Sequence, residues 1–138
     1  MKVNTEALIQ AARAARERAY APYSHFAVGA ALLTASGQVF VGCNVENAAY
    51  GHTICAERTA VVSAVAAGQR DFLALAVITP TSGPASPCGA CRQVLAEFNL
   101  DMQVILTNLQ GDTVLTTARE LLPGAFTGQD LDQVKHEG

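Results

Sequence analysis

Apolar residues recur at Leu8, Ile9, Ala12 and Ala15, a helical spacing that Asn4 or Thr5 can cap, so the pattern predicts a helix over residues 4–20. The stretch Ala21-Pro22-Tyr23-Ser24 breaks it. Residues 26–34 and 38–46 then read as two strands of a hairpin around a Ser36-Gly37 turn. The first is apolar at nearly every position, as suits a central strand covered on both faces. In the second, strand alternation puts Val39, Val41, Cys43 and Val45 on one face, read as the core side, with Asn44 and Glu46 on the other. Residues 55–67 read as a helix ended by Gly68, residues 72–79 as an apolar strand, and residues 80–87 as a loop. A second inner helix is predicted over 89–98, a strand over 102–108 and, after a Gly111-Asp112 turn, a short strand over 113–117. Residues 119–122 and 131–134 are candidates for short terminal helices. The order α-β-β-α-β-α-β-β predicts one domain over residues 1–138. Its fold class is α/β, a three-layer α/β/α sandwich on a five-stranded mixed sheet.

Half of the 138 residues are hydrophobic and only 15% are charged. A domain this small has few places to hide so much apolar surface, which favours burial between subunits. The net charge is −3, and the only basic run is Arg13, Arg16 and Arg18, read as the solvated face of the first helix. A nucleic-acid partner is disfavoured, because neutralising phosphates needs a concentrated basic surface. No apolar run approaches transmembrane length, and the N-terminus lacks a signal-peptide core, so a cytoplasmic protein with no membrane partner is expected. In that reducing compartment the four cysteines read as metal ligands or core residues before disulfides.

Cys88-Gly89-Ala90-Cys91 opens the second inner helix, where residues three apart share a face and the helix N-terminus favours thiolate. Alone, the pair fits zinc, redox chemistry or no function equally. Cys55 stands at the start of the other inner helix and makes a third sulfur, a zinc set with one position open to water. Cys43 falls on the apolar strand face and reads as a buried core thiol. His52 is a loop residue that could instead be a fourth ligand and close the site. Glu57 and Arg58 open a helix with no further charge through Gly68. Such a helix is normally buried, and buried charge is costly unless paired or used. Glu57 reads as a general acid/base beside a zinc water, or as a first-turn acid that offsets the helix dipole. Residues 55 and 57 both reach one ion only if the helix begins about there. Arg58 is either a donor to the ligand sulfurs, relieving their excess negative charge, or one partner of a rim salt bridge.

Cys55-Ala56-Glu57 followed by Pro87-Cys88-Gly89-Ala90-Cys91 resembles the signature of the zinc nucleoside deaminases. The likeness extends to residues 22–31, 42–48, 54–60 and 86–93 and to Glu120-Leu121-Leu122-Pro123, all similar to segments of cytidine deaminases. It implies the small homotetrameric type, with one zinc ion per chain held by Cys55, Cys88 and Cys91, and salvage of pyrimidines as the cellular role. It further implies attack of a zinc-activated water on C4 of cytidine or deoxycytidine, with Glu57 moving the protons. Asn44 and Glu46 would hold the ribose hydroxyls, Phe26 would pack on the base, and the Ala56 N–H and Ser86 carbonyl would meet its polar edge. From its pattern alone, Phe26 is equally a core aromatic. A neighbouring chain would contribute Ala48, Tyr50 and Phe126, giving shared active sites. Gly51-His52-Thr53 matches no segment of the family.

Blasticidin S deaminases share the three cysteines, the glutamate and the Leu-Leu-Pro stretch, but residues 26–31 and 44–47 fit the cytidine enzymes better. A non-enzymatic zinc-stapled binding domain, with His52 or Cys43 as fourth ligand, is the remaining alternative.

Overall fold

The computed structural model describes residues 3–137. Helix α1 (Thr5–Arg16) starts at Asn4, whose side-chain oxygen accepts from the Ala7 N–H at 3.1 Å, and it buries Leu8, Ile9, Ala12 and Ala15. It stops short of residue 20 because Tyr20 instead pairs with the chain beyond the second strand. The Tyr20 N–H donates to the Asn44 carbonyl at 2.9 Å, and the Glu46 N–H donates to the Tyr20 carbonyl at 2.8 Å. Strand β1 (Gly29–Thr34) is buried at every position, as its unbroken apolar run requires. It turns at Gly37 (φ 89°) into β2 (Val39–Cys43). Then follow α2 (Ala56–Ala66), β3 (Phe72–Thr79), α3 (Gly89–Phe98), β4 (Gln103–Asn108), β5 (Thr113–Thr117), α4 (Ala118–Leu121) and α5 (Gly128–Glu137).

The five strands form one mixed sheet in the order β2-β1-β3-β4-β5. Only β3 and β4 run parallel, joined across α3, and the other neighbours are antiparallel. One face packs Ala31, Leu33, Ala74, Ala76, Ile78 and Ile105 against α1. The other packs Leu32, Leu75, Val77, Val104 and Leu106 under α2 and α3, which contribute Ala60, Val61, Ala64 and Leu95. This is the expected three-layer arrangement.

The β2 edge departs from the expectation. Its alternation is as read, but the inward face is the opposite one. Val39, Val41 and Val45 are exposed and Cys43 is half-buried, whereas Gly42 and Asn44 lie inside. The reason is steric. A Cβ on Gly42 would stand 2.4 Å from the Ala56 carbonyl oxygen and 2.5 Å from the Ala60 nitrogen, so α2 rests directly on the strand there. Helix proximity, not side-chain polarity, decided which face turned inward. The basic run is also not a simple solvated face. Arg16 Nε donates to the Ala27 carbonyl at 2.8 Å, and Arg13 Nη2 reaches the Leu109 carbonyl at 3.5 Å.

The close approach at Gly42 can be tested by thermal unfolding. Gly42→Ala should cost about 1–3 kcal/mol through overpacking and lower the melting temperature. Gly51→Ala, where a Cβ meets nothing within 4 Å, should leave it unchanged. An unaltered melting temperature in Gly42→Ala would contradict the contact.

Candidate metal centre and active site

The C-terminal end of β3 and the N-termini of α2 and α3 converge, and three cysteines meet there. Cys55 and Cys88 are the residues that precede α2 and α3, both with extended backbone (φ −72°, ψ 155° and φ −65°, ψ 165°). Cys91 lies in the first turn of α3 and is fully buried. Their sulfurs all lie within 4.8 Å of one another, with Cys55–Cys88 at 3.9 Å and Cys88–Cys91 at 3.5 Å. Sulfurs about 2.3 Å from a tetrahedral zinc stand about 3.8 Å apart, so the donor set fits one zinc ion. The extended conformation of Cys55 also resolves a geometric difficulty. Because Cys55 precedes the helix, it is not bound to the helical phase that would set residues 55 and 57 on opposite sides.

Electrostatics follow from the crowding of sulfur. The Cys55 thiol is pulled down to about 5, first by its hydrogen bond with Cys91 and further by the Arg58 guanidinium. The same bond and burial push Cys91 up. Arg58 Nη2 donates to the Thr53 carbonyl at 3.3 Å and lies 3.9 Å from Cys55 Sγ. Its pKa is raised, chiefly by that sulfur. Arg58 Nε is buried with no hydrogen-bond partner among the described residues, a donor left available in an environment built for anionic sulfur.

Glu57 follows on the first turn of α2 and is 5% exposed. Burial raises its carboxyl pKa, and the charge at Cys55 raises it further. Glu57 lines a cavity of about 300 Å³ together with Phe26, Asn44, Ala56, Ser86 and Cys88. That is the low end of the range for small-molecule sites. Glu46 lines an adjoining cavity with Tyr23, Ser24 and Tyr50, and Thr53 belongs to both. The Glu46 carboxylate accepts from the Tyr23 N–H at 2.9 Å, from the Ser24 N–H at 3.1 Å and from the Ser24 hydroxyl. The Ser24 hydroxyl is the first cause of its lowered pKa.

Asn44 does more than its place on the strand implied. Its Oδ1 accepts from the Val28 N–H at 2.9 Å and its Nδ2 donates to the Phe26 carbonyl at 2.6 Å. One amide hydrogen and one lone pair remain for a ligand. Sequence reading missed this clamp because nothing local to Asn44 shows that residues 26–28 leave the strand. Thr53 and Ser24 were also missed as lining residues, although Ser24 stands inside the segment 22–31. Ala48 and Phe126 are exposed and stand outside the lining of the Glu57 cavity, and the Tyr50 ring is 74% exposed, 5.9 Å from Tyr23. Gln93 Nε2 donates to the Phe126 carbonyl at 2.8 Å, fixing the backbone from which that ring projects. His52 lies in a 3-10 turn over Tyr50–His52, outside the group of three sulfurs, and so does Cys43.

Known proteins agree with this geometry. The family model for the cytidine and deoxycytidylate deaminase zinc-binding region matches residues 2–107. The cytidine deaminase of Sporosarcina psychrophila is 58% identical over 130 residues, 94% of this chain and 96% of that one. That of Halalkalibacterium halodurans is 54% identical over 131 residues, 94% of this chain and 99% of the other. The crystal structure of cytidine deaminase from Burkholderia pseudomallei, 60% identical, matches with a TM-score of 0.88 over 90% of this chain and all of that one. With the three-sulfur zinc set, these likenesses make the chain an enzyme of the zinc-dependent cytidine deaminase family.

Proposed function

We propose that the protein hydrolyses cytidine and deoxycytidine to uridine and deoxyuridine, releasing ammonia, and that it serves pyrimidine salvage in the cytoplasm. The observation that carries this reading is a buried carboxylate, Glu57, in a nucleoside-sized cavity walled by the same helix starts that hold Cys55 and Cys88. Cys55, Cys88 and Cys91 hold the zinc, which when bound acidifies a water for attack on C4 of the pyrimidine. Glu57 takes the water's proton and delivers it to N3. It then takes the proton of the new C4 hydroxyl and passes it to the amine, which leaves as ammonia as the C4–N bond breaks and the C4 carbonyl forms. Burial favours its neutral form, as a group that must both take and return a proton requires. Arg58 draws negative charge from the sulfurs, so that the metal keeps its acidity.

The remaining roles concern orientation. The Ala56 N–H and the Ser86 carbonyl meet the polar edge of the base, and Phe26 packs on its face. Glu46 and the spare amide capacity of Asn44 hold the ribose hydroxyls. Among the described residues no Lys or Arg lines either cavity, which suits a neutral nucleoside better than a phosphorylated one. We also propose a homotetramer in which a neighbouring chain supplies Ala48, Tyr50 and Phe126 to each site. The exposure of the Phe126 ring (58%) and the apolar groove lined by Val62, Val65, Val94 and Phe98 support this assembly.

Two measurements test the reading. Glu57→Gln keeps the shape but cannot accept a proton. Turnover of cytidine should fall by roughly 10²- to 10⁴-fold or more while zinc is retained. Near-normal turnover, or loss of the metal, would contradict the assignment. For the shared site, Glu57→Ala and Phe126→Ala chains are refolded together, with a tagged-chain pull-down to confirm mixing. Sites combining Glu57 of one chain with Phe126 of another should restore activity above the sum of the separately refolded proteins. Confirmed mixing without recovery would place Phe126 in its own chain's site.

A further inference from the structure

The segment from Ser24 to Val28 forms one wall of the Glu57 cavity, yet it belongs to no strand or helix. Its conformation is not one the chain adopts freely. His25 has φ 57°, the one non-glycine residue with positive φ among those described. Side-chain hydrogen bonds hold what the sheet does not. The Phe26 carbonyl and the Val28 N–H are taken by Asn44, and the Phe26 N–H donates to the Ser24 hydroxyl at 3.0 Å. The Ala27 carbonyl is taken by Arg16 Nε at 2.8 Å. Arg16 itself does not line the cavity. It comes from the last turn of α1, the helix on the opposite face of the sheet. That turn is pressed onto the chain just after the segment, since a Cβ on Gly29 would lie 2.0 Å from the Ala12 carbonyl oxygen and 2.9 Å from the Arg16 Cβ.

Asn44 holds both peptide units that flank Ala27, through the Phe26 carbonyl and the Val28 N–H. Arg16 holds the second of these units at its other end, the Ala27 carbonyl, from the far side. Phe26 is 41% exposed, so its ring is not enclosed by the core. Its direction is therefore set by the backbone beneath it. We propose that Arg16 is a positioning residue for substrate binding: through the Ala27 carbonyl it seats Phe26 against the base, without touching the substrate. The inference rests on the reading of Phe26 as a wall of the nucleoside site. An arginine serves here because its charged N–H forms a strong bond to a carbonyl while its stem lies along apolar surface.

The test uses the zinc-loaded enzyme with cytidine. Arg16→Met keeps the stem and removes the donor. It should raise KM by about five-fold and leave kcat within about two-fold, with full zinc content. Arg16→Lys, which retains a donor, should recover most of the loss. A double-mutant cycle then assigns the route. In a Phe26→Ala background, Arg16→Met should change KM by less than about two-fold, because the ring through which it acts is gone. An equal further rise in that background would show that Arg16 acts elsewhere and overturn the proposal, leaving the Phe26 reading intact. Unchanged KM in Arg16→Met would overturn it as well. Loss of zinc or of the fold in both Arg16→Met and Arg16→Lys would assign the residue to the scaffold alone. If Phe26→Ala by itself leaves KM unaltered, the Phe26 reading fails, and this inference falls with it.

Discussion

Three thiolates around a divalent zinc ion leave one excess negative charge, and the site is organised around relieving it. Cys55 and Cys88 stand at the N-termini of α2 and α3, the positive ends of the two helix dipoles. The Arg58 guanidinium adds a full positive charge 3.9 Å from Cys55 Sγ. Without these, three sulfurs within 4.8 Å of one another would hold their protons and resist the metal. The Cys55 pKa is depressed first by the hydrogen bond with Cys91 and then by Arg58, whose own pKa is raised chiefly by the Cys55 sulfur.

The same convergence sets the rest of the cavity. Helix α2 can bring Cys55 and Glu57 to this point only because it lies on β2 at Gly42, with no side chain between them. That contact turns Asn44 inward, and Asn44 in turn holds the segment that carries Phe26. Val45 pairs with Ile54 by two backbone hydrogen bonds of 2.9 Å, which fixes the residue just before Cys55 against the chain that runs on from β2 to Glu46. The three cysteines, Glu57, Asn44 and Glu46 are therefore linked through one short piece of β2 and its extension. Loops 80–87 and 109–112 are joined on the other side by the fully buried Asn108. Its Nδ2 donates to the Ser82 carbonyl at 3.1 Å and to Asp112 Oδ2 at 2.9 Å.

Much of this was legible in the sequence because the strongest signals there are local. Helices α1, α2 and α3 and strands β3, β4 and β5 fall within a few residues of their predicted positions, since apolar periodicity and caps act over one or two turns. The three-sulfur set was legible because Cys55, Cys88 and Cys91 each mark the start of a helix, where thiolates are favoured. What the sequence hid depended on which elements pack together. The inward face of β2 could not be read from Val39, Val41 and Cys43, because a glycine contact with α2 overrode the apolar pattern. The end of α1 was displaced by the pairing of Tyr20 with residues 44 and 46, a contact between distant parts of the chain. Arg16 looked like a solvated charge, although it reaches back to a carbonyl eleven residues away.

Deamination should depend on a zinc ion held by Cys55, Cys88 and Cys91 and not by Cys43. The most direct measurement is zinc content per chain together with ammonia release from cytidine in four single variants. Cys55→Ala, Cys88→Ala and Cys91→Ala should each lack zinc and release no ammonia, with a fold weakened by loss of the metal. Cys43→Ala, whose half-buried thiol stands outside the cluster, should keep one zinc per chain and its activity. Zinc retained at full content in any of the first three, or lost from Cys43→Ala, would contradict the account.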